Sequence, residues 1–189
     1  IRDRLRTVHV LEGDSVTTDY CGNVVYENGV PQILLTEVGY VSLTDGKYHY
    51  YLKDHQGNNR VVVDEEGTVE EVNHYYPFGG VFSSTGDAQP YKYNGKELDR
   101  KGGLDWYDYG ARMYDAALGR FMKTDRFSEK YVSLSPYQYG ANNPVNNIDV
   151  NGDSLLLNKT SVAEAMLAIY NGLEDGTNLK MKFNNGVLD

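Results

Sequence analysis

Arg112, Asp125 and Asp149 are the residues of this chain whose types and order raise a chemical question. Arg112 and Asp125 bracket "GARMYDAALGRFMKTD", residues 110–125, and Asp149 opens "DVNGD" further along. Two carboxylates held a few ångströms apart cannot both ionise comfortably, so one retains a proton and the other serves as a base. Such a pair takes a proton from water while its protonated member polarises a carbonyl, which is the chemistry of peptide hydrolysis. A guanidinium beside them holds one carboxylate ionised and fixes its orientation. The same residues also have plainer uses. Arg112 can pair with Asp108 or Asp115 on a hairpin surface, Asp125 can cap a turn before Arg126, and Asp149 can form an Asx turn into Asn151-Gly152.

Other chemistries find less support. Asp149, Asn151 and Asp153 alternate as calcium ligands do, but the sixth loop position is Ser154 rather than Gly and the twelfth is Thr160. His9, His49, His55 and His74 are scattered outside any metal-ligand spacing, and no motif calls for a cofactor, so neither metal nor cofactor is expected. The single cysteine, Cys21 in "DYCGN", excludes an internal disulfide and reads as a spare thiol. A net charge of -9 argues against a nucleic-acid or anionic-membrane surface as partner. No stretch approaches the ~20 apolar residues that span a bilayer. The first and last residues, "IRDRLRTVHVLEGD" and "KFNNGVLD", read as cuts in a longer polypeptide.

The elements that must position the three residues are mainly β. Residues 1–82 alternate short strand-forming runs, such as Asn23–Tyr26, Ile33–Thr36, Tyr48–Leu52 and Arg60–Val63, with turn signals. Asn28-Gly29, Asp45-Gly46, Gly57-Asn58 and Glu66-Gly67 tolerate the positive φ that tight hairpins need. The pattern predicts an antiparallel hairpin strip. "TDYCGNVVYENG" and "LKDHQGNNRVVVDEEG" share a weak repeat, each a hairpin that must lie against neighbours to bury its faces. Seventeen tyrosines against five Phe and one Trp suggest sheet packing with hydroxyls left wet on one side. Trp106, Tyr107, Tyr109 and Tyr114 are expected to pack, and Phe121 to serve as an apolar anchor.

Residues 83–103 are loop-rich, and two Tyr- and Gly-rich blocks follow at 104–125 and 131–153. The character then changes. Ser161 and Glu164 match a capping box, with Val162, Met166, Ile169 and Leu173 behind it at helical spacing. Alternating Leu179, Met181 and Phe183 then predict a strand. The expected division is a β-strip at 1–82, a second β unit at 83–153, and the start of a small α+β domain at 154–189.

Several phrases, in order, carry a resemblance. "YYLKDHQGNNRVVVDEEGTVEEVNHYYPFG" resembles a tyrosine–aspartate (YD) repeat. "YKYNGKELDRKGGLDWYDYGARMYDAALGRFMKTD" and "SPYQYGANNPVNNIDVNGD" resemble the Rhs repeat-associated core domain, over roughly residues 48–153. The resemblance implies the end of a long β-strip that spirals into a hollow cocoon, as in the C components of insecticidal Tc toxins. The core domain closes one end, and a variable toxin domain follows, here in the place of residues 154–189. It implies an aspartyl-type autoprotease with Arg112, Asp125 and Asp149 as its catalytic set and a cut between Asp153 and Ser154. Implied partners are the rest of the shell, the enclosed toxin, an immunity protein and secretion machinery, with delivery as a secreted or cell-surface bacterial effector.

This chain departs from the family's pattern at Val150 and Asp153, where proline and leucine are expected, and at Arg126, often proline. A charged residue at 153 would be costly to desolvate and repelled by two neighbouring carboxylates. These departures favour an alternative in which the same fold is a plug that does not cut. A third reading is a secreted module whose exposed tyrosine faces, with or without calcium, bind glycans or cell-surface partners.

Overall fold

The computed structural model describes residues 5–157, together with the backbone of 183–184 and 187–188. The helix expected from Ser161 onward lies outside the described residues, as does most of the strand that follows it.

Nine strands form one antiparallel meander in chain order: β1 (Arg6–Leu11), β2 (Asp14–Cys21), β3 (Val24–Glu27), β4 (Val30–Leu35), β5 (Gly39–Ser42), β6 (Tyr48–Lys53), β7 (Asn59–Asp64), β8 (Val69–Tyr75) and β9 (Val81–Thr85). All four expected runs are strands within a residue or three of the predicted bounds. Asn28 and Gly29, both at positive φ, join Glu27 to Val30 in the two-residue turn that suits the right-handed twist of a hairpin. The strip runs on through residues 83–85 as β9, past the composition break at 82/83.

A second antiparallel sheet is small: β10 (Glu97–Asp99), β11 (Trp106–Asp108), β12 (Met113–Asp115) and β13 (Arg120–Phe121). A third begins with β14 (Asn147–Asp149), whose partner β15 (Leu155–Leu157) returns antiparallel with Asp149 opposite Leu155. β17 (Val187–Leu188) and β16 (Phe183–Asn184) complete it. The β14–β15 hairpin therefore runs across the expected division at 153/154.

The segment of residues 87–101 lies across one face of the nine-stranded strip. Tyr20 Oη donates to Glu97 Oε1 at 2.7 Å, and Tyr51 Oη to Gln89 Oε1 at 3.3 Å. Its firmest anchor is Glu71, whose buried carboxylate accepts from Lys92 Nζ (2.6 Å), Asn73 Nδ2 (2.5 Å), Gln89 Nε2 (3.2 Å) and the Ala88 amide (2.8 Å). These four donors offset the cost of burying a carboxylate this deep. The other face of the strip leaves Val8, Val10, Tyr48, Tyr50, Leu52 and Val69 exposed.

The core is made of tyrosine. Tyr75, Tyr93, Tyr107, Tyr109, Tyr114 and Tyr139 are buried with Leu98 and Phe121. Their rings meet in tilted and edge-on pairs, Tyr114–Tyr139 at 4.5 Å and Tyr109–Phe121 at 5.5 Å between centroids. The expectation of wet hydroxyls fails here. Tyr93, Tyr114 and Tyr107 donate to the carbonyls of Pro77, Phe78 and Gly79 at 2.9, 2.8 and 2.9 Å. Tyr109 and Tyr139 both donate to Asn94 Oδ1 at 2.7 and 2.5 Å. Loop carbonyls buried beside the core need donors, and a ring with a hydroxyl fills space and supplies one.

Candidate functional site

The three residues singled out by sequence come from three places in this framework. Arg112 precedes β12, Asp125 lies in the turn after β13, and Asp149 ends β14. Only a folded chain brings them together. Their residues are 4 %, 8 % and 3 % exposed, respectively, so they share a buried site rather than a surface.

Arg112 organises it. Its guanidinium lies 3.8 Å above the Phe121 ring centroid, which fixes the fork's plane. Nη2 donates to Asp125 Oδ2 at 2.8 Å and lies 3.5 Å from Asp149 Oδ2. Nη1 donates to the Pro136 carbonyl at 3.0 Å, and Nε to the Gly152 carbonyl. Phe121 therefore anchors the site as well as the core.

Each aspartate divides its oxygens between two tasks. Asp125 Oδ1 accepts from the Phe127 amide at 2.7 Å, and Asp149 Oδ1 accepts from the Gly152 amide at 2.5 Å and the Ser154 amide at 3.4 Å. The Oδ2 atoms face the shared guanidinium. The turn-capping uses and the clustered arrangement thus hold at once. Asp108 and Asp115 cap neighbouring turns, at the amides of Gly110 (2.8 Å) and Ala117 (2.8 Å).

Burial pushes the Asp149 carboxyl up to about 6, against the opposing pull of Arg112 and the two turn amides, and Asp125 adds to the rise. Burial likewise lowers the Arg112 guanidinium, while Asp125, Asp149 and Asp153 oppose the shift. The site can therefore hold a proton on Asp149 at mildly acidic pH.

The expected scissile peptide is in contact with this cluster. Gly152, at φ +80°, closes the turn so tightly that a Cβ there would lie 3.1 Å from the Arg112 amide nitrogen and from Tyr109 Cβ. Ala111 donates to the Asn151 carbonyl at 3.0 Å, and Val150 donates to the Ser154 carbonyl at 2.8 Å. Lys96 Nζ, 5.1 Å above the Tyr109 ring centroid, donates to the Val150 carbonyl. Lys96 was missed by sequence reasoning, since nothing in "YNGKELD" signals a contact so far along the chain.

Asp153 overturns an expectation. It is buried, yet it is not left to the repulsion of its neighbours: Oδ2 pairs with Arg126 Nη2, and Oδ1 accepts from Ser154 Oγ at 2.9 Å. Asp149 and Asp153 thus each lie against a guanidinium, which leaves the calcium-loop reading without its first and fifth ligands. Among the described residues no three acidic, His or Cys side chains form a metal-binding group. No described helix is long and apolar enough to cross a membrane.

Comparison with known proteins places the chain in a family. The family described as Teneurin YD-shell matches residues 35–145. This chain belongs to the YD-shell family. The matched stretch includes Arg112 and Asp125 and ends ahead of Asp149. Salivary gland surface protein 1 of Aedes aegypti is 33 % identical over 138 residues, 71 % of this chain and 4 % of that protein. The Tc holotoxin pore of Photorhabdus luminescens superposes with a TM-score of 0.66 at 21 % identity, over 79 % of this chain and 8 % of that one. TcdB2-TccC3 does so with a TM-score of 0.60 at 19 % identity, over 78 % of this chain and 8 % of that one. The chain shares the mainly antiparallel β fold of Rhs/YD shells and spans less than a tenth of these relatives' length.

Proposed function

We propose that this YD-shell segment closes a β container and cuts its own chain between Asp153 and Ser154, releasing the downstream region inside the shell. The observation that carries the reading is the convergence of Asp125 and Asp149 on one guanidinium, with Asp149 Oδ1 3.4 Å from the Ser154 amide nitrogen. Asp125 is the base that takes a proton from a water adding to the Asp153 carbonyl carbon. Asp149, protonated, gives its proton to the Ser154 nitrogen as the C–N bond breaks. One water is consumed, Asp153 gains a new terminal carboxyl, and Ser154 becomes an amino terminus. Arg112 holds both carboxylates and the Gly152 carbonyl in register, so the reacting groups start pre-oriented.

In this reading the exposed apolar face of the strip meets further shell, and the chain from residue 154 is the start of the enclosed cargo. The paired strands β14 and β15 lie on either side of the cut. Delivery outside the producing cell, as a toxin component with its own immunity and export partners, fits the toxin and surface proteins whose fold or sequence it shares. The test is a gel of the full-length polypeptide. Two bands divided near residue 153 are expected, collapsing to one in Asp125→Asn or Asp149→Asn; two bands in those variants would refute the assignment.

A second reading, a plug that does not cut, is favoured by one observation. Arg112 faces both carboxylates, which is also what a purely structural staple across three segments requires. An intact wild-type polypeptide would select it.

A further inference from the structure

Arg126 and Asp153, two of the three departures from the family's pattern, touch one another across the site. The Asp153 side chain is 4 % exposed and that of Arg126 is 65 % exposed, so a surface guanidinium reaches in to a buried carboxylate. A carboxylate this deep needs a cation or it leaves for water. The groups that face Asp153 are Arg126, the Ser154 hydroxyl and the charge of Arg112.

The backbone that carries Arg126 also carries the proposed base. Asp125 is pinned by Arg112, by its amide to the Pro136 carbonyl at 2.9 Å, and by its carbonyl accepting the Ser128 amide at 3.1 Å. Arg126 follows directly and lies 4.9 Å from the Phe127 ring centroid. One short turn therefore sets the distance between the base and the residue on the acyl side of the cut.

We propose that Arg126 is a positioning residue: it seats Asp153 in the site and so selects the Asp153–Ser154 bond, making an acidic residue the preferred acyl-side group. The inference rests on the cutting reading above. With both arginines present, Asp125 and Asp149 share Arg112 while Asp153 pairs with Arg126. Arg126→Gln leaves one cation for three carboxylates, and Asp153 then withdraws. Arg126→Gln/Asp153→Leu removes the stranded charge and restores an anchor of similar reach.

The experiment follows cutting of freshly translated full-length polypeptide, with hydrogen exchange of amides 150–154 in an Asp125→Asn background as a second arm. Arg126→Gln is expected to cut about tenfold slower or worse, because a small misplacement of the reacting bond is costly. Asp153→Leu added to it recovers most of that loss. Exchange should rise in Arg126→Gln and fall again in the double variant. Equal cutting rates in wild type and Arg126→Gln would overturn the positioning role. A wild type that never cuts would refute the cutting reading instead, and exchange unchanged by Arg126→Gln would refute the seating itself.

Discussion

Replacing Arg112 by methionine tests whether the cluster is a buried constellation or a surface ion pair. Methionine keeps contact with the Phe121 ring but leaves Asp125 and Asp149 without the guanidinium, and the Gly152 and Pro136 carbonyls without its donors. Breaking a buried pair by removing one member costs about 3–5 kcal/mol, whereas an exposed pair is worth about 0–1 kcal/mol. Exposures of 4 %, 8 % and 3 % put this site in the first regime. The cost also depends on pH. Arg112 holds the Asp149 carboxyl down against its burial, so the variant's carboxyl rises beyond about 6 and accepts a proton more readily on folding. Urea unfolding of the uncleaved chain, followed by circular dichroism, should show a loss of about 3–5 kcal/mol near neutrality that shrinks on acidification through about pH 6. A loss below about 1 kcal/mol, or one independent of pH, would refute the argument.

Three further outcomes follow from the same geometry. Because the folded Asp149 carboxyl sits above its ordinary 3.8, the contribution of this group to stability should be full below about pH 4 and fall by about 3 kcal/mol as pH rises through 6; it should appear as the difference between wild type and Asp149→Asn in a pH series of urea melts. Gly152→Ala puts a side chain at φ +80° against the Arg112 backbone, and should lower stability by about 1–3 kcal/mol and disturb the site. Lys92→Met strands the Glu71 carboxylate and should cost about 3–5 kcal/mol in urea melts.

The strip was legible because hairpins are local. An Asn-Gly pair between β-branched runs specifies both turn and register, and the Asn28-Gly29 hairpin forms as expected. The meeting of Arg112, Asp125 and Asp149 was readable only through the resemblance, since turn caps explain each aspartate equally well in isolation. Its expected consequence for Asp153 was wrong in a specific way. The desolvation argument treated residue 153 alone, whereas its partner Arg126 lies on a turn that only the packed Tyr and Phe core brings close. The same limit hid the acceptors of the core hydroxyls, among them the carbonyls of residues 77–79 and Asn94 Oδ1, distant in sequence from the rings they serve.

The most direct test of the central claim is the intact-mass spectrum of the full-length polypeptide, held side by side at mildly acidic and mildly alkaline pH. The account predicts two fragments meeting between Asp153 and Ser154, whose masses together equal the chain plus one water. They should form faster below about pH 6, where Asp149 keeps its proton, and should be absent in Asp149→Asn. A single uncut mass at both pH values, or a cut at another bond, would contradict it.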